Sequence, residues 1–258
     1  MRRWQRRRAD FRAGMAVNDT HFCMVEYEGG LRPYRIFFPS SYVHAPSEKG
    51  GEVKKFPLVV ASPYVGGDES AYFEGRFAEN RIQAIAEERG YVVACPALPR
   101  VDMSRAGKVP FMQLVLEADV PEMIMAVVNE IRKQRQIDDA RIYLMGASKG
   151  AFATYATAAK NPDTFAAVAG VCGLFEDDQV EALAKTPVLM YNATRDDLFT
   201  IERVRELREK LAAAGGEVKL VEVEGPHGGY MAPGPYRVIF DWFDAHRREA
   251  PAVTAGGK

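Results

Sequence analysis

The residues best suited to chemistry are a serine set between two glycines, Gly146-Ala147-Ser148-Lys149-Gly150. The apolar run Ile142-Tyr143-Leu144-Met145 leads into it, and a run from Ala151 to Ala159 follows, small except for Phe152 and Tyr155, up to Asn161-Pro162. That order reads as a strand, one sharp turn and a tightly packed helix. The two glycines have a steric reason. A serine on a strained strand-to-helix turn draws neighbouring backbone so close that the flanking positions cannot carry side chains. The turn lifts Ser148 Oγ out of the sheet, over a helix N-terminus, and aims the Lys149 N–H at whatever the serine attacks.

A serine hydroxyl needs a base to accept its proton, and histidine suits that task at neutral pH. The chain has four histidines. His21 and His44 fall in an N-terminal edge region, and His246 sits at the end of the last helix, where a cation complements the helix dipole. His227 differs. It lies in Glu224-Gly225-Pro226-His227-Gly228-Gly229-Tyr230, a loop after the last strand. Ligands of open α/β sheets bind at such strand ends. The base in turn needs an acceptor to hold its tautomer. Asp196 and Asp197, both in the loop after the strand ending at Tyr191, fit in kind, with Asp197 the more suited to a cap. Asp177 and Asp178 are weaker rivals in an irregular stretch.

These groups need elements to position them. Strands are expected near Cys23–Tyr27 and Tyr34–Phe38, the first at a sheet edge. Continuous apolar runs mark buried strands at Phe56–Ala61, Tyr91–Cys95 and Phe165–Cys172. Further strands are expected at Pro187–Tyr191 and Val218–Val223, with Pro39-Ser40-Ser41 in an exposed loop. Helices are expected at 77–89, closed by Gly90, and at 119–134, where Asp119 and Glu122 resemble a capping box. A helix capped by Thr200 ends at Gly215. A last one opens at Pro235, with Val238, Ile239, Trp242 and Phe243 inward. Residues 96–118 show no period, and so long a loop in a compact domain is usually functional. Strands alternating with helices give a mostly parallel sheet with helices on both faces.

The chain order Ser148, Asp196, His227 is that of the α/β-hydrolases, and over about residues 30–247 the sequence resembles that superfamily. Within it the sequence is similar to the bacterial esterase group that includes polyhydroxybutyrate depolymerase-like and feruloyl esterase-like enzymes. Pro57–Ala61 with its glycine-containing loop looks like that group's oxyanion strand. Ala86–Val93, Asn161-Pro162-Asp163 and Val171-Cys172-Gly173 look like its neighbouring segments. The resemblance implies an α/β-hydrolase fold and a carboxylic ester hydrolase working through an acyl-enzyme. It selects Asp196 over Asp197, because Asn192-Ala193-Thr194-Arg195-Asp196 stands where the group has His-Gly-x-x-Asp. Pro63-Tyr64-Val65 replaces the group's His-Gly-x. By register the Val65 N–H is then one oxyanion donor and the Lys149 N–H the other, with Tyr64 an alternative to Val65. Tyr64, Phe111, Phe199 and Tyr230 are candidate substrate-binding residues, with Phe73, Met112 and Phe175 nearby. A serine peptidase of the same fold and a non-catalytic binding protein are the competing readings.

Bulk properties bound the rest. The 258 residues carry a formal net charge of −1, so no broad attraction to nucleic acid or to a membrane surface is expected. Hydrophobic residues make up 47% and charged residues 27%, the balance of an ordinary globular chain. The organisation expected is a basic, irregular tail over 1–18, one domain over 19–248 and a flexible tail over 249–258. No apolar stretch follows the first arginines as an export signal requires, so a cytoplasmic location is expected. Cys23, Cys95 and Cys172 are too scattered for a disulfide framework or a metal-ligand spacing. Neither metal nor cofactor is therefore expected; the expected partner is a small-molecule ester.

Overall fold

The computed structural model describes residues 16–17, 20–43, 54–74, 82–105, 107–109, 119–228 and 235–249. The strands are β1 (Ala16–Val17), β2 (Thr20–Tyr27), β3 (Gly30–Phe37), β4 (Phe56–Ser62), β5 (Val92–Pro96), β6 (Ile137–Ala147), β7 (Ala167–Val171), β8 (Val188–Ala193) and β9 (Val218–Val223). The helices are α1 (Ser40–Val43), α2 (Ile82–Arg89), α3 (Val120–Gln134), α4 (Lys149–Lys160), α5 (Val180–Leu183), α6 (Ile201–Ala213) and α7 (Pro235–Asp244).

All the described strands join one sheet in the order β1-β2-β3-β5-β4-β6-β7-β8-β9. β2 and β3 form an antiparallel hairpin whose turn, Glu28-Gly29, has φ of 48° and 68° at its two residues. Two positive φ values in a two-residue connection are the hairpin turn whose twist matches the strands. β3 pairs antiparallel with β5, and from β5 to β9 every pairing is parallel. From β4 the chain crosses to β5 on one side, and later to β6 on the other. A reversal of this kind opens a crevice at the strand C-termini.

Alternation along the buried strands feeds two cores. Leu58, Val60, Ile142 and Leu144 face one layer, with α3, α4, α5 and α6. Val59, Ala61, Tyr143 and Met145 face the other, with α2 and α7. Strands covered on both faces read as continuous hydrophobic runs, which is why they stand out in the sequence.

Several elements differ from the sequence expectation. β2 is covered on its outer side by the two-residue β1, so it is not the edge strand. Ser40 and Ser41, read as loop, begin a helical turn, Ser40–Val43. Asp119 makes no side-chain cap bond to α3, and Glu122 instead pairs with Lys160 at 2.9 Å. Thr200 makes no side-chain bond to α6. On α7, Phe240 rather than Val238 or Trp242 joins Ile239 and Phe243 in the buried stripe. His246 lies past the end of α7, its Nδ1 2.6 Å from the Trp242 carbonyl and its Nε2 3.0 Å from Glu217. The helix expected over 77–89 is described only from Ile82. Residues 110–118 of the long loop, with Phe111 and Met112, and also His44 and Tyr230, lie outside the described residues.

Candidate active site

β6 ends at Ala147 and α4 begins at Lys149, so Ser148 makes the whole turn alone, at φ 52° and ψ −119°. Positive φ at a non-glycine residue is strained, costing about 1–3 kcal/mol, and persists only where the surroundings enforce it. Those surroundings are backbone. A Cβ on Gly146 would lie 2.1 Å from the Gly150 carbonyl oxygen, and one on Gly150 would lie 2.0 Å from that of Ser62. The elbow is thus wedged against the end of β4, and the two glycines are required by contact. The Ser148 N–H donates to the Val171 carbonyl at 2.8 Å, tying the turn to the end of β7.

His227 arrives on the loop after β9 and Asp196 on the loop after β8. Asp196 Oδ2 lies 2.7 Å from His227 Nδ1. A carboxylate can only accept there, so Nδ1 carries the proton. Nε2, 3.1 Å from Ser148 Oγ, is then the nitrogen that can take the hydroxyl proton. The other oxygen, Oδ1, accepts the N–H groups of Leu198 and Phe199, each at 2.9 Å. These two bonds lock the carboxylate and shape its loop, and its side chain is fully buried. The Phe199 ring meets His227 edge-on at 5.3 Å and Phe152 at 5.0 Å, so the imidazole is held by packing as well. The structure therefore brings Ser148, His227 and Asp196 into one hydrogen-bonded row. Asp197 is exposed, and Asp177 pairs at the surface with Arg203 and Lys210.

The loop after β4 runs alongside. Tyr64 accepts the Gly67 N–H at its carbonyl, and Gly66 has φ 80°. This is a four-residue turn with Val65 at its second position. Burial raises the Tyr64 phenol above its usual range, helped by Cys95 and Asp68, so it stays protonated as a donor. Lys149 is the first residue of α4, where N–H groups have no acceptor within the helix. Its ammonium donates to the Pro99 carbonyl, which ties the loop after β5 to the elbow.

The aromatic candidates divide. Phe73 and Phe175 are core residues, not pocket walls. Phe199 is 6% exposed and forms a small cluster with Phe152, Val101 and Leu174 beside His227. Among the described residues, the exposed large hydrophobics are Val65 and Leu198, both on loops around the serine.

One residue of this rim escaped the sequence reading. Cys172, just past β7, has φ 48° and is fully buried. A thiol ligand atom from it, one from His227 and one from Asp196 all lie within 4.8 Å of one another. No spacing could have shown this, because the three sit on three different strand ends. The one available signal was the place of Cys172 at a strand C-terminus.

A mostly parallel sheet, helices on both faces and a serine turn at the central strand end define an α/β-hydrolase fold. The chain belongs to the dienelactone hydrolase family, whose model matches residues 53–241. Solved structures with the same fold include a thermostable esterase, at 24% identity and a TM-score of 0.71, covering 90% of this chain. The chain spans 64% of that esterase's length. An S-formylglutathione hydrolase from Staphylococcus aureus matches at 14% identity and a TM-score of 0.66, over 87% of this chain and 99% of its own. A ferulic acid esterase matches at 13% and 0.64, over 87% and 97%. No curated protein sequence matches the chain.

Proposed function

We propose that the protein hydrolyses small carboxylic esters through an acyl-enzyme. The observation that carries this reading is the row Ser148 Oγ, His227 Nε2, His227 Nδ1 and Asp196 Oδ2, at 3.1 and 2.7 Å. Ser148 attacks the ester carbonyl while His227 takes its proton. Asp196 keeps Nδ1 protonated and stabilises the imidazolium that forms. The N–H groups of Val65 and Lys149 hold the oxyanion, and each such donor is worth about 10²–10³ in rate. His227 returns the proton to the departing alcohol, then draws one from the water that releases the acid. The relatives named as esterases, and the family itself, support ester cleavage as the reaction class. Exposed Val65 and Leu198 favour an apolar group on the substrate.

Ser148→Ala should lower turnover of p-nitrophenyl esters by at least about 10³. A fluorophosphonate probe should label the wild type at Ser148 and leave the variant unlabelled. Ester turnover by Ser148→Ala within tenfold of wild type would sink the reading.

A further inference from the structure

We propose that Cys172, Asp196 and His227 form a binding site for a zinc-like divalent metal ion, and that filling it switches the hydrolase off. The regulatory half rests on the esterase reading above; the binding half does not.

Among the described residues these form the only group of three or more histidine, cysteine and acidic side chains with ligand atoms this close, all within 4.8 Å. The donors are a thiol sulfur, an imidazole nitrogen and a carboxylate oxygen, the set that zinc takes with four-coordinate geometry. At bond lengths of about 2.0–2.3 Å such ligands stand roughly 3.5 Å apart; the widest separations, up to 4.8 Å, close by about 1 Å, while His227 Nδ1 and Asp196 Oδ2, now 2.7 Å apart, separate if both ligate. The frame of the site is fixed by backbone. The Cys172 N–H donates to Tyr191 on β8 at 2.9 Å, and the carbonyl of Val171 receives the Ser148 N–H. On binding, the thiol proton leaves to solvent, and thiolate plus carboxylate balance the two charges of the ion. A net-neutral cluster is what a buried setting tolerates. Cys172 and Asp196 are buried and His227 is partly exposed, so the ion enters past the imidazole, with a water in the fourth position.

Coordination and catalysis compete for the same atoms. If Nδ1 ligates the metal, its proton moves to Nε2, which can then no longer act as the base, and its bond to Asp196 is lost. If Nε2 ligates, Ser148 has no base.

The test starts with protein stripped by EDTA and titrated with Cd²⁺, whose bond to thiolate gives an ultraviolet charge-transfer band. One equivalent should produce the band in wild type and none in Cys172→Ser. Calorimetric zinc affinity should fall at least about tenfold in Cys172→Ser and in His227→Ala, a loss reached even when only an indirect partner is removed. Zinc should inhibit the wild-type esterase reversibly. The inhibition constant should rise at least tenfold in Cys172→Ser, each variant scaled to its own metal-free rate. Should Cys172→Ser not fold, judged by circular dichroism, His227→Ala decides on affinity. A wild type without the band, or a band and affinity unchanged in the variants, overturns the site. A band with no ester turnover would retire the esterase reading and leave the metal site standing.

Discussion

At the scale of single residues, the site depends on what is missing as much as on what is present. Gly150 has no room for a methyl group, with the Ser62 carbonyl 2.0 Å from where a Cβ would stand. Gly150→Ala must push β4 and the elbow apart. We expect a cost of about 1–3 kcal/mol, read as a lower urea midpoint, and a lower kcat because Ser148 moves relative to His227. Asp196 and Asp197 were equal in kind by residue type, and the structure separates them by direction. Asp196 accepts from His227 and from two backbone N–H groups, while Asp197 is exposed. Asp196→Asn should cost about 10⁴ in kcat/KM, since an amide stabilises the wrong tautomer. Asp197→Asn should stay within a few-fold. Equal losses from the two would place the acid elsewhere.

At the scale of elements, α4 and α7 hold the site from opposite sides of the sheet. α4 sits unusually close to β7: a Cβ on Gly170 would overlap the Tyr155 ring, and one on Gly173 would meet Ala151 at 2.5 Å. The missing side chains of Gly170 and Gly173 make that approach possible, leaving room for the Tyr155 ring and for Ala151. α7 follows the loop that carries His227, and Phe243 stacks on Tyr143 at 4.7 Å. Phe243→Ala should cost about 3–5 kcal/mol, measured by denaturant unfolding. Near the start of β6, Asp138 ties the strand to Arg141 at 2.8 Å and to Arg247 at 3.2 Å. Burial opposes its ionisation, yet the hydrogen bonds from Arg141 and the Ala140 N–H, with both arginine charges, hold its carboxyl below the usual range. A depressed folded value contributes stability above the unfolded value of about 3.9, and that contribution disappears as pH falls through the folded one. Asp138→Asn should therefore lower stability at neutral pH and flatten its fall below about pH 4, followed by thermal melts across pH.

At the scale of the whole molecule, one sheet serves two cores. Leu144 belongs to one and Met145 to the other, and both are adjacent on β6. Loss of either should weaken the same cooperative unit. Leu144→Ala and Met145→Ala should each cost about 2–5 kcal/mol. Each variant should show a single transition, coincident by circular dichroism and fluorescence. Two separated transitions would mean that the layers fold apart.

Short-range physics was readable along the chain. Apolar runs marked the strands buried on both faces, Gly146 and Gly150 announced a turn with no room for side chains, and Gly215 at φ 83° ended α6 where expected. Local signals misled where a distant partner competed: Glu122 left the cap of α3 for Lys160. The amino-acid order by itself determined a layered α/β chain with a serine on a forced turn, because steric exclusion and hydrophobic period act between neighbours. Residue type alone left Asp196 and Asp197 equal, and the family register pointed to Asp196; only the tertiary structure put that carboxylate on His227 and Cys172 beside them. Those meetings join the ends of β7, β8 and β9, and distances between strand ends are set by sheet pairing, which no spacing along the chain records.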